Sequence, residues 1–510
     1  MEKLINFILI LICISASSCK NDFLVLYPEG QINEGNFYKT SDDFKQAIVG
    51  AYIPLRDVAN YSFSMDEMRS DNTEYDYNSK DRGGSGYEQL ADFLDDSSNG
   101  VISVRWVADY KGIQRTNVIL DRIVSITSAI SDADKNQIIG EAKALRAHYY
   151  FDLVRCYGGV PLYLHEVKDN GSAFIVRSSI DSVYSQIITD FTDALNLLNP
   201  PAKFPQSGAM TKGTVATELG LVYLTLKDYA KATPLLLSVT QMGYALLPNY
   251  ADVFTLNNKN SKESIFEVQY KAGTDGQQSQ FIYKFIPVTP NTSNILGVNY
   301  NNGSGGLNVP TDDIVAAYEA GDKRLDASIV VAKGIYNSNV DFMADSVVSI
   351  LHPTTPGRMS KKFIKKFYNK PYGLQNNTDD NWPLYRYADV LLMLAESLNE
   401  QGKPAEALPF LNQVRTRAGL AFSTSTDQAA LRSIIYHERR VELAFENHRW
   451  FDLVRTGQAI PVMTAFGVLQ KLKYAYILPA AYNVTPNKLI FAIPYRETQV
   501  NPAIKQNLDY

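Results

Sequence analysis

The sequence contains few of the side chains on which enzymes and metal sites most often depend. Histidine occurs five times and cysteine three times in 510 residues, so the usual general base, imidazole ligand and thiol nucleophile are scarce. Three cysteines cannot form a disulfide framework, and Cys13 and Cys19 lie near the N-terminus, which leaves Cys156 alone in the body of the chain. We therefore expect binding rather than catalysis, and no disulfide within the mature body unless Cys19 is free.

The chain also lacks a net positive charge and the common catalytic sequence motifs. The net charge of −5 provides no basic field for a phosphate backbone, so nucleic acid is not an expected partner. The basic string from Lys361 to Lys366 is interrupted by apolar residues, which is typical of a solvated strand or helix face. No GxSxG elbow, HExxH helix or Walker loop is present, and the glycine-rich strings at 83–86 and 303–306 lack the setting of a phosphate loop.

Only the N-terminal segment carries a continuous apolar run. Leu4 to Ile14 follows Met-Glu-Lys and is too short to span a bilayer, which predicts a signal peptide over residues 1–18 and an exported protein. Small residues, Ala16-Ser17-Ser18, then lead into Cys19, a string that resembles a bacterial lipobox and predicts Cys19 as the lipidated first residue. The alternative is an ordinary signal peptide with an incidental cysteine.

Helical periodicity dominates three parts of the chain, at about 40–60, 101–245 and 383–455. Within them, apolar spacing and turn residues predict helices near 40–55, 106–120, 138–153, 211–226, 229–241, 387–398 and 404–418. The small and aromatic positions of the pair at 211–241 match those of a tetratricopeptide repeat, and the same helix-turn-helix pattern recurs at 387–418. Divergent repeats are the interpretation, with unrelated helical hairpins as the alternative.

The remaining parts, about 60–100 and 261–380, are irregular and aromatic. Phe266, Val268 and Tyr270 alternate as in a strand, and Gly, Asn, Ser and Thr dominate afterwards. A sugar packs its C–H face on an aromatic ring while its hydroxyls bond to Asp, Asn and Arg, so such loops suit glycan binding without a titrating residue. The predicted ligand-binding residues are Asp66, Arg69, Asp71, Asn72, Tyr75, Tyr77, Tyr87, Tyr283, Tyr300 and Trp382. For each ring the alternative is that it covers the helical core, and for Trp382 that it covers the helix after Arg386.

The densest charged string runs from His437 to Asp452. Glu438, Glu442 and Glu446 recur every four residues, which raises the possibility of a carboxylate-pair hydrolase or a metal site. Arginines at 439, 440, 449 and 455 favour an ion-pair network between helices instead, because they would keep the carboxylates ionised. His437 and His448 lack the spacing for one metal on one helix, and we expect no catalytic residue, metal or cofactor.

Several strings together resemble the SusD/RagB family. They are Trp106 with Tyr110, Ile113 and Asn117; Gly140–Val154; Tyr157–Leu162; Arg386–Leu392 with Ala395-Glu396; Asn412–Gly419; Glu438–Arg440; Arg449–Arg455; and the ending with Ile493-Pro494, Glu497, Asn501-Pro502, Gln506-Asn507 and Tyr510. With the lipobox, the resemblance covers essentially the whole mature chain.

The resemblance implies a mainly α protein, with tetratricopeptide-like helix pairs packed against an irregular loop-rich half that has a few short strands and faces the ligand. Residues 19–510 would form one such unit. It further implies a cell-surface lipoprotein of the outer membrane that binds oligosaccharides and delivers them to a SusC-like TonB-dependent transporter, as part of nutrient uptake, without cleaving them. Oligopeptide binding, as in the RagB branch, is the alternative function. A purely structural scaffold and a glycoside hydrolase are further alternatives.

Overall fold

The structure is a computed structural model that describes residues 37–126, 130–301, 303 and 305–510. The predicted signal peptide and Cys19 lie outside the described residues. No helix in the described ranges is both long and apolar enough to cross a lipid bilayer.

Helices are the most abundant secondary structure in the described chain. Their bounds are α1 Ser41–Tyr52, α2 Pro54–Ser62, α3 Ser85–Ala91, α4 Gly100–Ile123, α5 Asp132–Tyr157, α6 Asn170–Ala173, α7 Ile180–Leu197, α8 Lys212–Thr225, α9 Tyr229–Val239, α10 Phe281–Phe285, α11 Thr292–Leu296, α12 Asp312–Ala317, α13 Arg324–Ser328, α14 Tyr387–Glu400, α15 Pro404–Ala418, α16 Gln428–Glu442, α17 Arg449–Arg455, α18 Ala459–Lys473 and α19 Tyr495–Val500.

Local sequence signals explain where the long helices begin and end. The Thr40 side chain accepts from the Asp43 N–H in a capping box before α1. Before α5, the Ser131 side chain accepts from the Asp134 N–H. Gly158 and Gly419 end α5 and α15 with positive φ values of 74° and 85°, a conformation that glycine adopts without steric cost. The helices predicted from periodicity are therefore confirmed, with a break at Ile53 between α1 and α2.

Consecutive helices pack as pairs, as expected. The long helices α4 and α5 are neighbours, and α8 packs on α9 and α14 on α15. The segment 60–100, which we expected to be loops, instead contains the end of α2, a π-helical turn at Phe63–Glu67 and the short helix α3. Buried side chains in these short elements, such as Phe63, Met65 and Leu90, show that tertiary packing rather than periodicity decides their conformation.

The described strands are few and short. They are β1 Thr73–Glu74, β2 Ser264–Val268, β3 Val309–Pro310, β4 Ile329–Tyr336, β5 Phe342–Ser349, β6 Met359–Ile364 and β7 Trp382–Arg386. All pair antiparallel: β1 with β3, β2 with β7, and β4 between β5 and β6 in a three-stranded sheet. The strand predicted around Phe266 is confirmed as β2, and all five of its residues are buried because helix α8 packs against it. The predicted mainly α class with a few short strands is confirmed.

Two hydrophobic cores support these two kinds of structure. The larger core contains residues from Phe44 to Ile504 and joins the helical pairs to the β2–β7 ribbon. The smaller core lies against the three-stranded sheet and includes Ile282, Val330 and Phe363. The irregular half is thus anchored by apolar packing of its own, which allows its loops to project from a fixed base.

The close approach of α4 and α5 gives a testable prediction. A Cβ atom at Gly112 would overlap the ring of Tyr149, so we expect Gly112→Ala to lower the free energy of unfolding by about 1–3 kcal/mol. Gly50, on α1, has no other atom within 4 Å of the same position, and Gly50→Ala should be neutral or stabilising by up to about 1 kcal/mol. Chemical denaturation of both variants checks this, and equal stabilities would contradict the packing described here.

Candidate functional site

The structure places the predicted polar ligand residues in the interior. Asp66 bonds to Arg105 at 2.6 Å, and Arg69 bonds to Asp95 at 2.6 Å while its guanidinium lies 4.1 Å from the ring centre of Phe93.

Asp71 and Asn72, which follow in the sequence, also bond to other residues of the protein. Asp71 is paired with Arg449 at 2.8 Å, and Asn72 donates to Glu67 at 2.9 Å. All four predicted polar residues, Asp66, Arg69, Asp71 and Asn72, are buried, so a ligand on the surface could not contact them. Most of their polar atoms bond to other parts of the protein, so the proposed site does not contain these residues.

Most of the predicted aromatic residues are also enclosed. Tyr75 is buried and donates to Asp92 at 2.8 Å, Tyr283 is buried and donates to the Leu374 carbonyl, and Trp382 is fully buried against Phe367 with the rings stacked 4.6 Å apart.

Two further rings are half-buried. The Tyr87 hydroxyl accepts from Lys284 at 3.0 Å, and Tyr300 donates to the Tyr283 carbonyl at 2.8 Å. The alternative that a ring covers the helical core describes Tyr75 and Trp382, which belong to the larger core. Tyr283 packs instead in the smaller core against the three-stranded sheet.

Tyr77 is the most exposed of the predicted residues, with 42% of its surface accessible. Its ring stacks on Tyr476 at 4.5 Å with an interplanar angle of 13°, and Tyr476 stacks in turn on Tyr474 at 5.1 Å. The Arg82 guanidinium lies 4.4 Å from the ring centre of Tyr77 and must occupy the other face, since Tyr476 fills the first. Tyr77 therefore offers a ligand its edge and its hydroxyl rather than a free face.

An open cleft of about 310 Å³ lies beside Tyr77, within the size range of small-molecule sites. We call it the aromatic cleft. It is lined by Asp76, Tyr77, Asn78, Ser79, Lys80, Val288, Pro290, Tyr336, Val340, Asp341, Phe342 and Lys361. One wall is the 76–80 loop that follows β1, and the opposite wall is the turn that joins β4 to β5.

Hydrogen bonds hold both walls in place. The Asp76 N–H donates to the Gly306 carbonyl at 2.7 Å, and the Asn78 amide donates to the Gly303 carbonyl at 3.0 Å. Across the cleft, Asp341 accepts two hydrogen bonds from Asn337, and its own N–H donates to the Asn337 side chain. Lys80 links the two walls by donating to Asp341 at 2.5 Å and to the Asn339 carbonyl at 2.7 Å.

The charges within the cleft are balanced. Lys361 pairs with Asp76 at 2.9 Å, and Lys80 pairs with Asp341, so neither an anionic nor a cationic ligand is strongly favoured. These carboxylates and ammonium groups keep free lone pairs and hydrogens that can bond to hydroxyl groups. The cleft therefore offers hydrogen-bonding partners of both kinds without a net field.

Tyr336 supplies the free aromatic surface that Tyr77 lacks. It is 44% exposed and meets Phe342 edge-on at 6.1 Å, and Val340 at the tip of the turn is 73% exposed. Tyr336 is not among the residues predicted from the sequence. A signal was available, because Tyr336 precedes Asn337-Ser338-Asn339, a cluster of turn residues that follows an apolar run and indicates a hairpin.

The three glutamates that raised the possibility of a hydrolase all form buried ion pairs. Glu438 and Glu442 lie on α16, and Glu446 follows its end. All three are buried. Their partners are Arg324 and Arg415 for Glu438, Arg324, Arg386 and Arg417 for Glu442, and Lys366 and Arg386 for Glu446. The predicted ion-pair network is confirmed.

The cationic partners of these glutamates differ from those expected. Arg439 and Arg455 pair with Asp389 and Glu396, and Arg440 and Arg449 pair with Asp71. For Arg449 and Arg455 the reason is geometric: α16 ends at Glu442, and both arginines lie on the separate helix α17. Arg439 and Arg440 lie on α16 itself and bond to residues of other parts of the chain.

Electrostatics in this cluster oppose general acid catalysis. Burial would raise the pKa of Glu442, but the guanidinium groups of Arg417, Arg386 and Arg324 outweigh burial and lower the pKa to about 2. A carboxyl group held so firmly ionised cannot donate a proton near neutral pH. Among the described residues, no group of three or more His, Cys, Asp or Glu side chains has an arrangement that could hold a metal ion.

Known proteins with similar sequences indicate the family of this chain. A family described as "SusD family" matches residues 262–510, and one described as "Starch-binding associating with outer membrane" matches residues 33–224. A SusD-like protein of Formosa agariphila is 28% identical, covering 97% of this chain and 96% of the relative.

Solved structures of SusD-like proteins have the same fold as this chain. A laminarin-binding SusD-like protein is 25% identical with a TM-score of 0.71, covering 93% of this chain and 100% of that structure. The surface glycan-binding protein A of Bacteroides thetaiotaomicron, in complex with laminarihexaose, is 21% identical with a TM-score of 0.72 and coverages of 92% and 100%. The resemblance seen in the sequence motifs is confirmed by these matches in both halves of the chain and by the shared fold: this chain belongs to the SusD/RagB family.

Proposed function

We propose that the protein binds a glycan at the cell surface and that the aromatic cleft is its binding site. The single observation that carries the proposal is the combination, in one open cleft, of the exposed ring of Tyr336 with a balanced set of hydrogen-bonding groups. A sugar ring presents a C–H face to an aromatic side chain and hydroxyls at its edge. Asp76, Asn78 and Lys361 line the same cleft, and in the proposed complex they bond to those hydroxyls.

The family supports this reading over the alternatives. One matching family is described as starch-binding, and the laminarin-binding relative shares the fold across nearly its whole length. We therefore propose neutral glucans as the first ligand class to test. Oligopeptide binding remains the alternative, since a peptide also uses aromatic contacts and hydrogen bonds, but the balanced charge of the cleft gives a peptide terminus no dedicated partner.

Delivery to a SusC-like TonB-dependent transporter of the outer membrane is the further step that we propose. A protein that passes its ligand on needs moderate affinity so that release stays fast, and an open cleft with one free aromatic face fits this requirement. We propose that the protein does not cleave the glycan. A glycosidase needs two carboxyl groups with separated pKa values, whereas Asp76 and Asp341 are each paired with a lysine.

A binding screen tests the proposed function. The chain without its first 19 residues is titrated calorimetrically with starch, laminarin and other glucan oligosaccharides, with charged glycans and with mixed oligopeptides, and each mixture is then analysed by chromatography. We expect saturable binding to a neutral glycan with no product after long incubation. Binding to peptides alone, or release of shorter sugars, would contradict the proposal.

Membrane attachment through Cys19 is a separate prediction. We expect Cys19→Ala, expressed in a host that lipidates such proteins, to fold normally but no longer to sediment with membranes, because one residue carries the lipid. Cys13→Ala, within the predicted signal peptide, is the matched control and should sediment as the wild type does. Sedimentation of Cys19→Ala that survives a high-salt wash without detergent would disprove the anchor.

A further inference from the structure

A second pocket, remote in sequence from the aromatic cleft, lies between α4, the segment 161–167 and the C-terminal helix α19. Its volume is about 290 Å³, and it is lined by Trp106, Val107, Tyr110, Ile113, Gln114, Pro161, Tyr163, Val167, Glu497 and Ile504. We call it the Trp106 pocket. It shares no lining residue with the aromatic cleft, and Val107 at its rim is 47% exposed.

Three aromatic rings form adjoining walls of this pocket. The ring centres of Trp106 and Tyr110 are 4.9 Å apart, and those of Tyr110 and Tyr163 are 5.8 Å apart and nearly perpendicular at 84°. Both tyrosine hydroxyls are already used: Tyr110 donates to the Pro161 carbonyl at 2.8 Å and Tyr163 to the Ala173 carbonyl at 2.6 Å. These bonds fix the rings, so that what they offer a ligand is mainly π surface.

Glu497 is the one charged side chain that lines the Trp106 pocket. It forms no ion pair with any residue in the part of the chain that the structure describes, and its carboxylate accepts a hydrogen bond from the Trp106 indole. Burial raises the pKa of Glu497, and the bond from Trp106 and the charge of the neighbouring Arg496 oppose this effect. Arg496 is exposed and does not line the pocket, so a positively charged ligand inside the pocket would stabilise the half-buried carboxylate further.

We propose that the Trp106 pocket binds an organic ammonium group, with Glu497 as its counter-ion. Trp106 is only 2% exposed, so the half-buried rings of Tyr110 and Tyr163 provide most of the aromatic surface against the cation. Aromatic faces attract a cation through the ring quadrupole, and quaternary or primary ammonium groups are recognised in this way. A neutral apolar ligand would leave Glu497 without a partner, and an anion would be repelled by it. A neutral sugar would find its hydroxyl partners largely occupied, because both tyrosine hydroxyls bond to backbone carbonyls.

The test compares charged and neutral ligands of the same shape. Choline is titrated into the chain without its first 19 residues, alongside 3,3-dimethylbutan-1-ol, which has the same shape without the charge, and glucosamine serves as a primary-amine probe. Glu497→Gln removes the charge while its amide oxygen can still accept from Trp106. Glu406→Gln, at an exposed glutamate on α15, is the matched control.

We expect choline, glucosamine or both to bind saturably, the neutral alcohol to bind at least tenfold more weakly, and Glu497→Gln to lose at least tenfold in affinity while Glu406→Gln is unchanged. Absence of binding by both amines would overturn the proposal. Equal binding of choline and its neutral counterpart would also overturn it, as would an unchanged affinity in Glu497→Gln. The choline results do not depend on glycan binding, since the two sites share no residue. Glucosamine is also a sugar, so its binding counts for the Trp106 pocket only where Glu497→Gln weakens it.

Discussion

Arg386→Ala should lower the free energy of unfolding by about 3–5 kcal/mol, the range found when one partner of a buried ion pair is removed. Arg386 is buried and pairs with Glu263 at 2.7 Å, Glu442 at 3.0 Å and Glu446 at 2.6 Å. Without Arg386, each of these three buried carboxylates loses a positively charged partner. The three glutamates come from the loop before β2, the end of α16 and the turn after it, so the loss affects several elements at once.

A matched surface pair provides the control for this variant. Arg432 pairs with Glu400 at 2.6 Å, but its side chain is about a third exposed. Exposed pairs contribute up to about 1 kcal/mol, so Arg432→Ala should have a small effect in the same denaturation experiment. Similar losses in both variants would contradict the view that the Arg386 cluster holds the fold together.

The Arg386 effect should also depend on pH. Because the cations lower the pKa of Glu442 to about 2 in the folded protein, its stabilisation is present above the unfolded value of about 4.3 and is lost as the pH falls towards 2. The difference in stability between wild type and Arg386→Ala should therefore be largest above pH 5 and shrink below pH 4. A difference that stays constant across this range would show that lost packing, not charge, causes the effect.

Tyr336→Ala should weaken glycan binding by about 10- to 100-fold, which corresponds to about 1.4–2.8 kcal/mol. In the proposed complex Tyr336 provides the free aromatic face of the cleft, whereas both faces of Tyr77 are covered by Tyr476 and Arg82. Truncation to alanine removes the stacking surface and leaves the hydrogen-bonding groups in place. Calorimetry with a glycan identified in the binding screen measures the change.

Phe422→Ala is the control for Tyr336→Ala. Phe422 is 67% exposed and does not line the aromatic cleft, so its removal should leave glycan affinity within about twofold of the wild type. Circular dichroism of both variants verifies that the fold is retained. An unchanged affinity in Tyr336→Ala would move the site away from the β4–β5 turn.

The helical scaffold was predictable because its signals are local. Apolar spacing, the cap at Thr40 and the glycine after Tyr157 each act within a few residues, and they place α1 and α5 correctly. The existence of the ion-pair network was predictable, but the partners within it were not. Dense glutamates require cations, but Arg324 and Arg386 come from segments more than 50 residues before Glu442, and sequence spacing carries no information about such pairs.

The proposed ligand site was harder to predict, because neighbouring tyrosines can lie either inside the protein or on its surface. Tyr75 and Tyr77 are two residues apart, yet Tyr75 lies inside against Asp92 and Tyr77 lies outside on Tyr476. This difference depends on long-range contacts, such as the Asp76 bond to Gly306, that no local pattern encodes. Composition therefore predicts an aromatic and polar site, which stays a prediction, but it does not indicate which rings are exposed.

A crystal structure of the protein with a glycan from the binding screen tests the central claim most directly. We predict an intact oligosaccharide in the aromatic cleft, with one sugar ring against Tyr336 and its hydroxyls bonded to residues of the 76–80 loop and to Lys361. An intact glycan bound elsewhere on the surface, with the aromatic cleft empty, would contradict the proposed site, and cleaved sugar in the cleft would contradict the proposal that the protein binds glycans without cleaving them.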